Sequence, residues 1–169
     1  MSTPHENAQR LAAESLAEGD STGWFERLYA AAEAGETGVP WSREEPNPLL
    51  VEWAEERPAG DGSRRAAVVG CGLGSDAEYV GALGYDTVGF DISPSAVTAA
   101  RRRFPESPVR YVVADLLRLP DEWRHAYHLV IESITVQSLP TSLRQDAIRS
   151  VASLVAPGGT LLVLSRTLE

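Results

Sequence analysis

From residue 66 onward, short apolar runs alternate with segments of helical pattern. In order they read "AAVVG", "SDAEYVGALG", "DTVGFD", "SPSAVTAARRRF", "VRYVVAD", "HLVIES", "TSLRQDAIRSVASLV" and "TLLVLS". The extended runs are nearly unbroken in hydrophobicity, as strands buried on both faces require. Strands of that kind, separated by helices, return parallel to one another through crossovers. The segment is therefore expected to form an α/β fold, a doubly wound Rossmann-like parallel sheet. Its ligand crevice lies beyond the carboxyl ends of the strands. Gly84 closes the first helix in a left-handed cap position. Ser93 caps the second with Pro94 at its first position, and Thr141 is the expected cap of the third. The stretch "LLRLPDEWRHAY" carries no clear helical pattern.

The preceding residues read differently. Residues 6–18 and 22–34 are Ala-rich, apolar at spacings of three and four, and each is followed by glycine, which predicts two helices. Pro40, Pro46 and Pro48 then impose extended chain, a helix follows over 49–56, and "RPAGDGSRR" reads as a linker. We divide the chain into residues 1–63, N-terminal helices with a Trp- and Pro-bearing lid segment, and residues 64–169, the sheet core. A net charge of −9 argues against nucleic acid or an anionic membrane surface as partner. All 15 basic residues are Arg, which reads as coding bias. One cysteine, Cys71, leaves no internal disulfide and no multi-cysteine metal site, so no metal is expected. The absence of an apolar leader or spanning run points to a reducing cytoplasm.

The turn after the first strand, "VVGCGLGSD", places glycines at 70, 72 and 74. A dinucleotide fingerprint needs its third glycine at position 75, where this chain has Ser75. Asp76 falls in the first helical turn, where a pyrophosphate would sit. A carboxylate there repels phosphate and tolerates an ammonium or sulfonium. Complementing the helix dipole is the plainer role for it, and disfavours phosphate equally. Asp91 ends the second strand, where a carboxylate accepts hydrogen bonds from ribose hydroxyls of either a nicotinamide or an adenosyl ligand. Ile92 and Ser93 follow it in the candidate cofactor-binding set. Asp115 ends the third strand and can accept from an adenine amino group, with the backbone of Ala114 and Leu116 beside it. Glu132 and Ser133 end the fourth. Three acidic strand tips around one crevice suit a cationic ligand, although single carboxylates often only cap loops.

These pieces, "VVGCGLGSD", "VGFDISPSAV", "VVADLLRLP", "YHLVIESITV" and "LVAPGGTLLVLS", in this order, resemble the class I S-adenosylmethionine-dependent methyltransferases over residues 66–165. The resemblance implies the strand order 3-2-1-4-5, S-adenosylmethionine as cofactor and S-adenosylhomocysteine as product. It lays Gly70, Cys71 and Gly72 along the methionyl part, with Gly74 in the same cofactor-binding set, Asp91 on the ribose and Asp115 on the adenine. The lead-in "FERLYAAAEAGETGVPWSREEPNPLLVEW" is similar to that of the thiopurine, thiol/halide and tellurite-resistance methyltransferases, where a Trp-bearing loop covers the cofactor. Trp41 is the residue so placed; Trp24 is expected to pack the helices onto the sheet.

Methyl transfer is an in-line displacement at an already activated carbon, so the protein chiefly aligns the acceptor and excludes water. A thiol or other soft small-molecule acceptor needs no general base. Glu132 is the one candidate base should the acceptor be an alcohol or amine. His125 and His128 sit at the opposite end of the fourth strand and read as structural, His5 as terminal. Cys71 reads as a small residue in a tight turn, and Arg101–Arg103 as complementing a helix dipole. Class I domains run on past the fifth strand, whereas this sequence ends at Glu169. The resulting apolar edge invites a second copy, or is covered by the N-terminal helices, or marks a shortened form. Two alternatives stand beside the methyltransferase: a cofactor-binding module with little or no activity, lacking the C-terminal strands, and a nicotinamide-dinucleotide-binding protein.

Overall fold

The computed structural model describes residues 2–167. Three helices lead, α1 (Pro4–Ala17), α2 (Gly23–Glu33) and α3 (Pro48–Glu55). Then β1 (Arg65–Val69), α4 (Ser75–Ala82), β2 (Asp86–Asp91), α5 (Pro94–Arg103) and β3 (Arg110–Val113) alternate. β4 (Tyr127–Ser133), a single-turn α6 (Thr135–Ser138), α7 (Thr141–Leu154) and β5 (Val155–Leu164) complete the order. The five strands form one sheet in the expected order β3-β2-β1-β4-β5, all pairs parallel. Alternate residues of the strands feed two separate cores. Ala66, Val68, Leu129 and Ile131 pack with Leu50 of α3, Val80 of α4 and Val97 of α5. Ala67, Val69, Phe90 and Val130 pack with Ala147, Val151 and Leu154 of α7 on the other face.

Several boundaries differ from the sequence reading. β3 stops at Val113, and Asp115 leaves the sheet to cap a 3-10 turn over Leu116–Arg118, its Oδ1 accepting from Leu117 N–H at 2.8 Å. A second such turn, Asp121–Trp123, occupies the stretch without helical pattern. The turn of α6 was not anticipated, because a single turn shows no periodicity. Pro140, not Thr141, is the N-cap of α7, and no side chain bonds there. β5 begins at Val155 instead of Thr160 and carries "APGG" through a break in register opposite Tyr127 and Leu129.

The N-terminal helices are fastened to the sheet layer by polar contacts as well as by packing. Glu26 on α2 accepts from Ser93 Oγ (2.5 Å), Ser95 Oγ (2.6 Å) and Ser95 N–H (3.1 Å), so one helix caps the start of another. The Arg101–Arg103 run does more than complement the dipole of α5. Arg101 donates to the carbonyl of Tyr111 in β3, Arg102 pairs with Glu33, and Arg103 donates to Ser75 Oγ and to the carbonyl of Glu44. Trp24 is buried, stacked on Phe25 with ring centroids 3.9 Å apart, but it packs α2 against Ala8, Leu11 and Ala12 of α1 and not onto the sheet as expected.

Candidate functional site

Two adjoining cavities of about 80 and 90 Å³ open beyond the carboxyl ends of β1, β2 and β4. Gly70, Ser133 and Ile134 on the sheet side, with Tyr29 and Trp41 above, line both. The position is the switch point of the sheet, where the chain runs from β1 outward in one direction to β2 and in the other to β4.

The glycine turn shapes the floor. Gly70 and Gly72 have φ of +59° and +51°. A Cβ on Gly70 would stand 2.2 Å from Thr135 Oγ1, and one on Gly72 2.8 Å from the Tyr29 hydroxyl. Only glycine admits both the backbone and the close approach. Gly74, at φ +93°, turns the chain into α4. Cys71 is buried in the turn, its amide donating to the carbonyl of Phe90 (2.9 Å). Burial pushes its thiol well above the usual range, which suits a packing role.

Asp91 ends β2 almost wholly buried, with Oδ2 accepting from Gly72 N–H and Oδ1 from Ser93 N–H, both at 3.0 Å. Burial raises its pKa and the amide donors oppose that shift. Asp91, Ile92, Ala114, Asp115 and Leu116 line the first cavity together. Cys71, Gly72 and Gly74 line the second, along with Asp76. Ser93 lines neither: it is fully buried, and its hydroxyl is occupied by Ala96 N–H and Glu26. Nor does Glu132, the third acidic tip. Strand alternation turns it to the face covered by α7, where its carboxylate accepts from Val136 N–H at 2.9 Å and burial raises its pKa. Ser133, one residue on, faces the cavities and its Oγ accepts from Asn47 Nδ2.

Apart from Trp41, the roof comes from residues that sequence patterns did not single out. Phe25 and Tyr29 project from α2, Leu139 follows α6, and Trp41 lies edge-on to Trp24, Phe25 and Tyr29 at centroid distances of 5.8, 6.3 and 6.4 Å. Trp41 Nε1 donates to the Tyr29 hydroxyl at 3.0 Å. Burial and the charge of Asp91 hold that hydroxyl in its protonated form, so its own proton is retained for donation. Ile134, between β4 and α6, has φ +64°, costly for a β-branched residue, and lines both cavities. His125 and His128 lie at the far end of the sheet, bonded to the Val155 carbonyl and to Arg65 N–H.

A glycine turn with positive φ, a buried carboxylate at the tip of β2 and an aromatic roof at the switch point define a Rossmann-like site for an adenosine-bearing cofactor. The chain belongs to the methyltransferase domain family, whose sequence profile matches residues 67–159. That membership sets aside the dinucleotide alternative. The chain is 34% identical over 125 residues to a ubiquinone biosynthesis O-methyltransferase of Xanthomonas campestris, covering 72% of this chain and 51% of that one. It is 27% identical over 151 residues to "Probable thiol methyltransferase 2" of Arabidopsis thaliana, covering 88% and 63%. A solved structure, described under the conversion of a disulfide bond into a thioacetal group during echinomycin biosynthesis, superposes with a TM-score of 0.71. It is 24% identical, covers 82% of this chain and 59% of the other, and shares the fold. The chain spans roughly half to two thirds of the length of these relatives.

S-adenosylmethionine is the cofactor of this class, and the residues present fit it. Gly70 and Gly72 let the backbone pass close under Thr135 and Tyr29, Asp91 and Asp115 offer acceptors, and Asp76 sets a carboxylate in the second cavity where a diphosphate would be repelled. Among the described residues, no helix is long and apolar enough to cross a membrane.

Proposed function

We propose that this chain binds S-adenosylmethionine and directs its methyl group to a small apolar acceptor, a thiol or other soft nucleophile. The observation that carries the reading is the lining of the first cavity. Beyond the residues given to ribose and adenine, Phe25, Trp41 and Leu139 make it apolar and aromatic, and its titratable groups are engaged by the main chain or given to the cofactor. Asp91 accepts two amides, Asp115 caps a turn, and Tyr29 is held protonated. None of them is set to remove a proton, so an acceptor that reacts as a weakly hydrated anion or a polarisable neutral suits the site best. The bound cofactor supplies an activated methyl group and a neutral leaving group. The chain's own part is to fix the ribose through Asp91, to receive the adenine beside Asp115, and to keep water out with Trp41, Phe25 and Leu139. Similarity to a thiol methyltransferase supports the same choice. A cytoplasmic setting, where the lone thiol of Cys71 stays reduced, goes with it.

One observation favours a second reading, a cofactor-binding module with little turnover. Leu161, Val163 and Ile148 are 38%, 54% and 57% exposed beside β5, so that face of the sheet lacks a cover. A second copy paired along the edge of β5 is the partner we assign to it. Incubation with labelled S-adenosylmethionine and a panel of thiols, halides and tellurite separates the two readings. Methylated thiol is the expected product. Tight cofactor binding with no transfer to any acceptor would leave the module.

A further inference from the structure

Tyr29 carries a hydroxyl that the fold satisfies on one side only. The residue is 5% exposed. Its oxygen accepts from Trp41 Nε1 at 3.0 Å, while its proton meets no acceptor among the described residues. The indole N–H fills one lone pair of that oxygen and so turns the O–H bond away from Trp41. A buried donor without an acceptor is costly unless a ligand completes it.

Nothing around the hydroxyl takes the proton from it. Asp91 at the tip of β2 and the Cys71 thiol in the glycine turn both oppose its ionisation, as burial does. On α2 itself, Glu26 is bonded to Ser93 and Ser95, and Glu33 to Arg102. Asp115 lines the first cavity, engaged by Leu117 N–H; Asp76, Arg43 and Glu45 line the second. Tyr29 itself belongs to both cavities, and its oxygen stands over Gly72, where a Cβ would come within 2.8 Å. With adenosine in the first cavity, that junction is where the sulfonium would lie. A sulfonium is positive and its methyl has no lone pair, so neither receives the proton. The group left to receive it is the one that approaches the methyl.

We propose that Tyr29 binds the methyl acceptor as a thiolate, its hydroxyl donating a hydrogen bond to the anionic sulfur. The proposal rests on the cofactor reading above and names the group that lets a thiol react there without a base. An alkyl thiol, with a pKa of about 8.5, is only a few per cent thiolate at pH 7. A donor that stays protonated favours the anion, and the thiol's own proton leaves to water on entry. The thiolate pair then forms the new carbon–sulfur bond as the sulfonium bond breaks and returns its electrons to a neutral sulfur. The phenolic proton remains on Tyr29 throughout. Its bond to the thioether product is weak, because an uncharged thioether is a poor acceptor.

The test follows ionisation and needs no turnover. Wild type and Tyr29→Phe are loaded with S-adenosylhomocysteine, and benzenethiol is titrated with pH on each by difference absorbance, thiol-free protein subtracted. The bound thiol should ionise about one pH unit or more lower on wild type than on Tyr29→Phe, a tenfold gain in thiolate of the size a hydrogen bond to a charged group gives. Affinity for S-adenosylhomocysteine, read by calorimetry, should not move. On wild type alone the bound thiol should ionise no higher than in water, although burial by itself would raise it; a higher value would overturn the proposal without any variant. Equal ionisation on the two proteins would also overturn it and leave the cofactor reading standing. Lost S-adenosylhomocysteine affinity in Tyr29→Phe with thiol ionisation unmoved would assign the hydroxyl to the cofactor instead. If loaded wild type takes up no benzenethiol, the proposal falls with the thiol reading, and if wild type binds no S-adenosylhomocysteine, the cofactor reading falls too.

Discussion

Both carboxylate oxygens of Asp91 accept main-chain amides, from Gly72 and Ser93, so the tip of β2 organises the glycine turn before any ligand arrives. Each oxygen keeps a second lone pair for a ribose hydroxyl. Asp91→Ala should therefore weaken S-adenosylhomocysteine binding by roughly 1.5–3 kcal/mol, and should also lower thermal stability, since the buried Gly72 amide loses its acceptor. Calorimetry on the variant checks the first and a melting curve the second. An unchanged affinity would remove Asp91 from the site. Asp91 and Asp115 were legible in the sequence because parallel strands deliver their carboxyl ends to one crevice. Glu132 was misplaced for an equally simple reason. Its face depends on strand phase, and phase in a strand apolar on both sides cannot be read from hydrophobicity. Ser93 was read correctly as a cap, and that same duty buries it away from the cavities.

The strands and longer helices followed directly from apolar runs and cap residues, whereas the contacts between them did not. Glu26 lies 67 residues before Ser93, and nothing local marks it as a cap for α5. Burial would raise its pKa, yet the donors from Ser93 and Ser95 hold it below the ordinary value, as a carboxylate engaged in the fold should be. Glu26→Ala should cost about 0.5–2 kcal/mol, the usual worth of a helix cap, and detach α2 from α5 in part. Chemical denaturation reads this as a lowered midpoint with little change in slope. A midpoint equal to wild type would mean that α2 is held by apolar packing alone. The Arg101–Arg103 run shows the same limit of sequence reading. A dipole role was visible in the pattern, but the ties to Tyr111, Glu33 and Glu44 needed the tertiary arrangement. β5 also began earlier than expected, since "APGG" reads as a turn and is absorbed here as an irregularity in the ladder.

Taken together, the sheet supplies the acids, the β1–α4 turn supplies the space, and the N-terminal helices supply the roof. The parallel, doubly wound sheet was legible in the alternation of apolar runs and helices, but its order β3-β2-β1-β4-β5 came only with the family resemblance, since right-handed crossovers allow other orders. The roof was legible only as Trp41, because Phe25 and Tyr29 belong to a helix whose pattern fits core packing equally well. Ile134 gave no sign in the sequence at all; its positive φ arises from the junction of β4 with α6. These carboxylates should favour an adenosyl amino acid over a diphosphate that carries the same adenosine. Titration of the wild-type chain with S-adenosylhomocysteine and, separately, with NADH tests that selection on ligands sharing one half. S-adenosylhomocysteine should bind saturably, one per chain, and NADH should give no saturable heat. Saturable NADH binding with S-adenosylhomocysteine silent would contradict it.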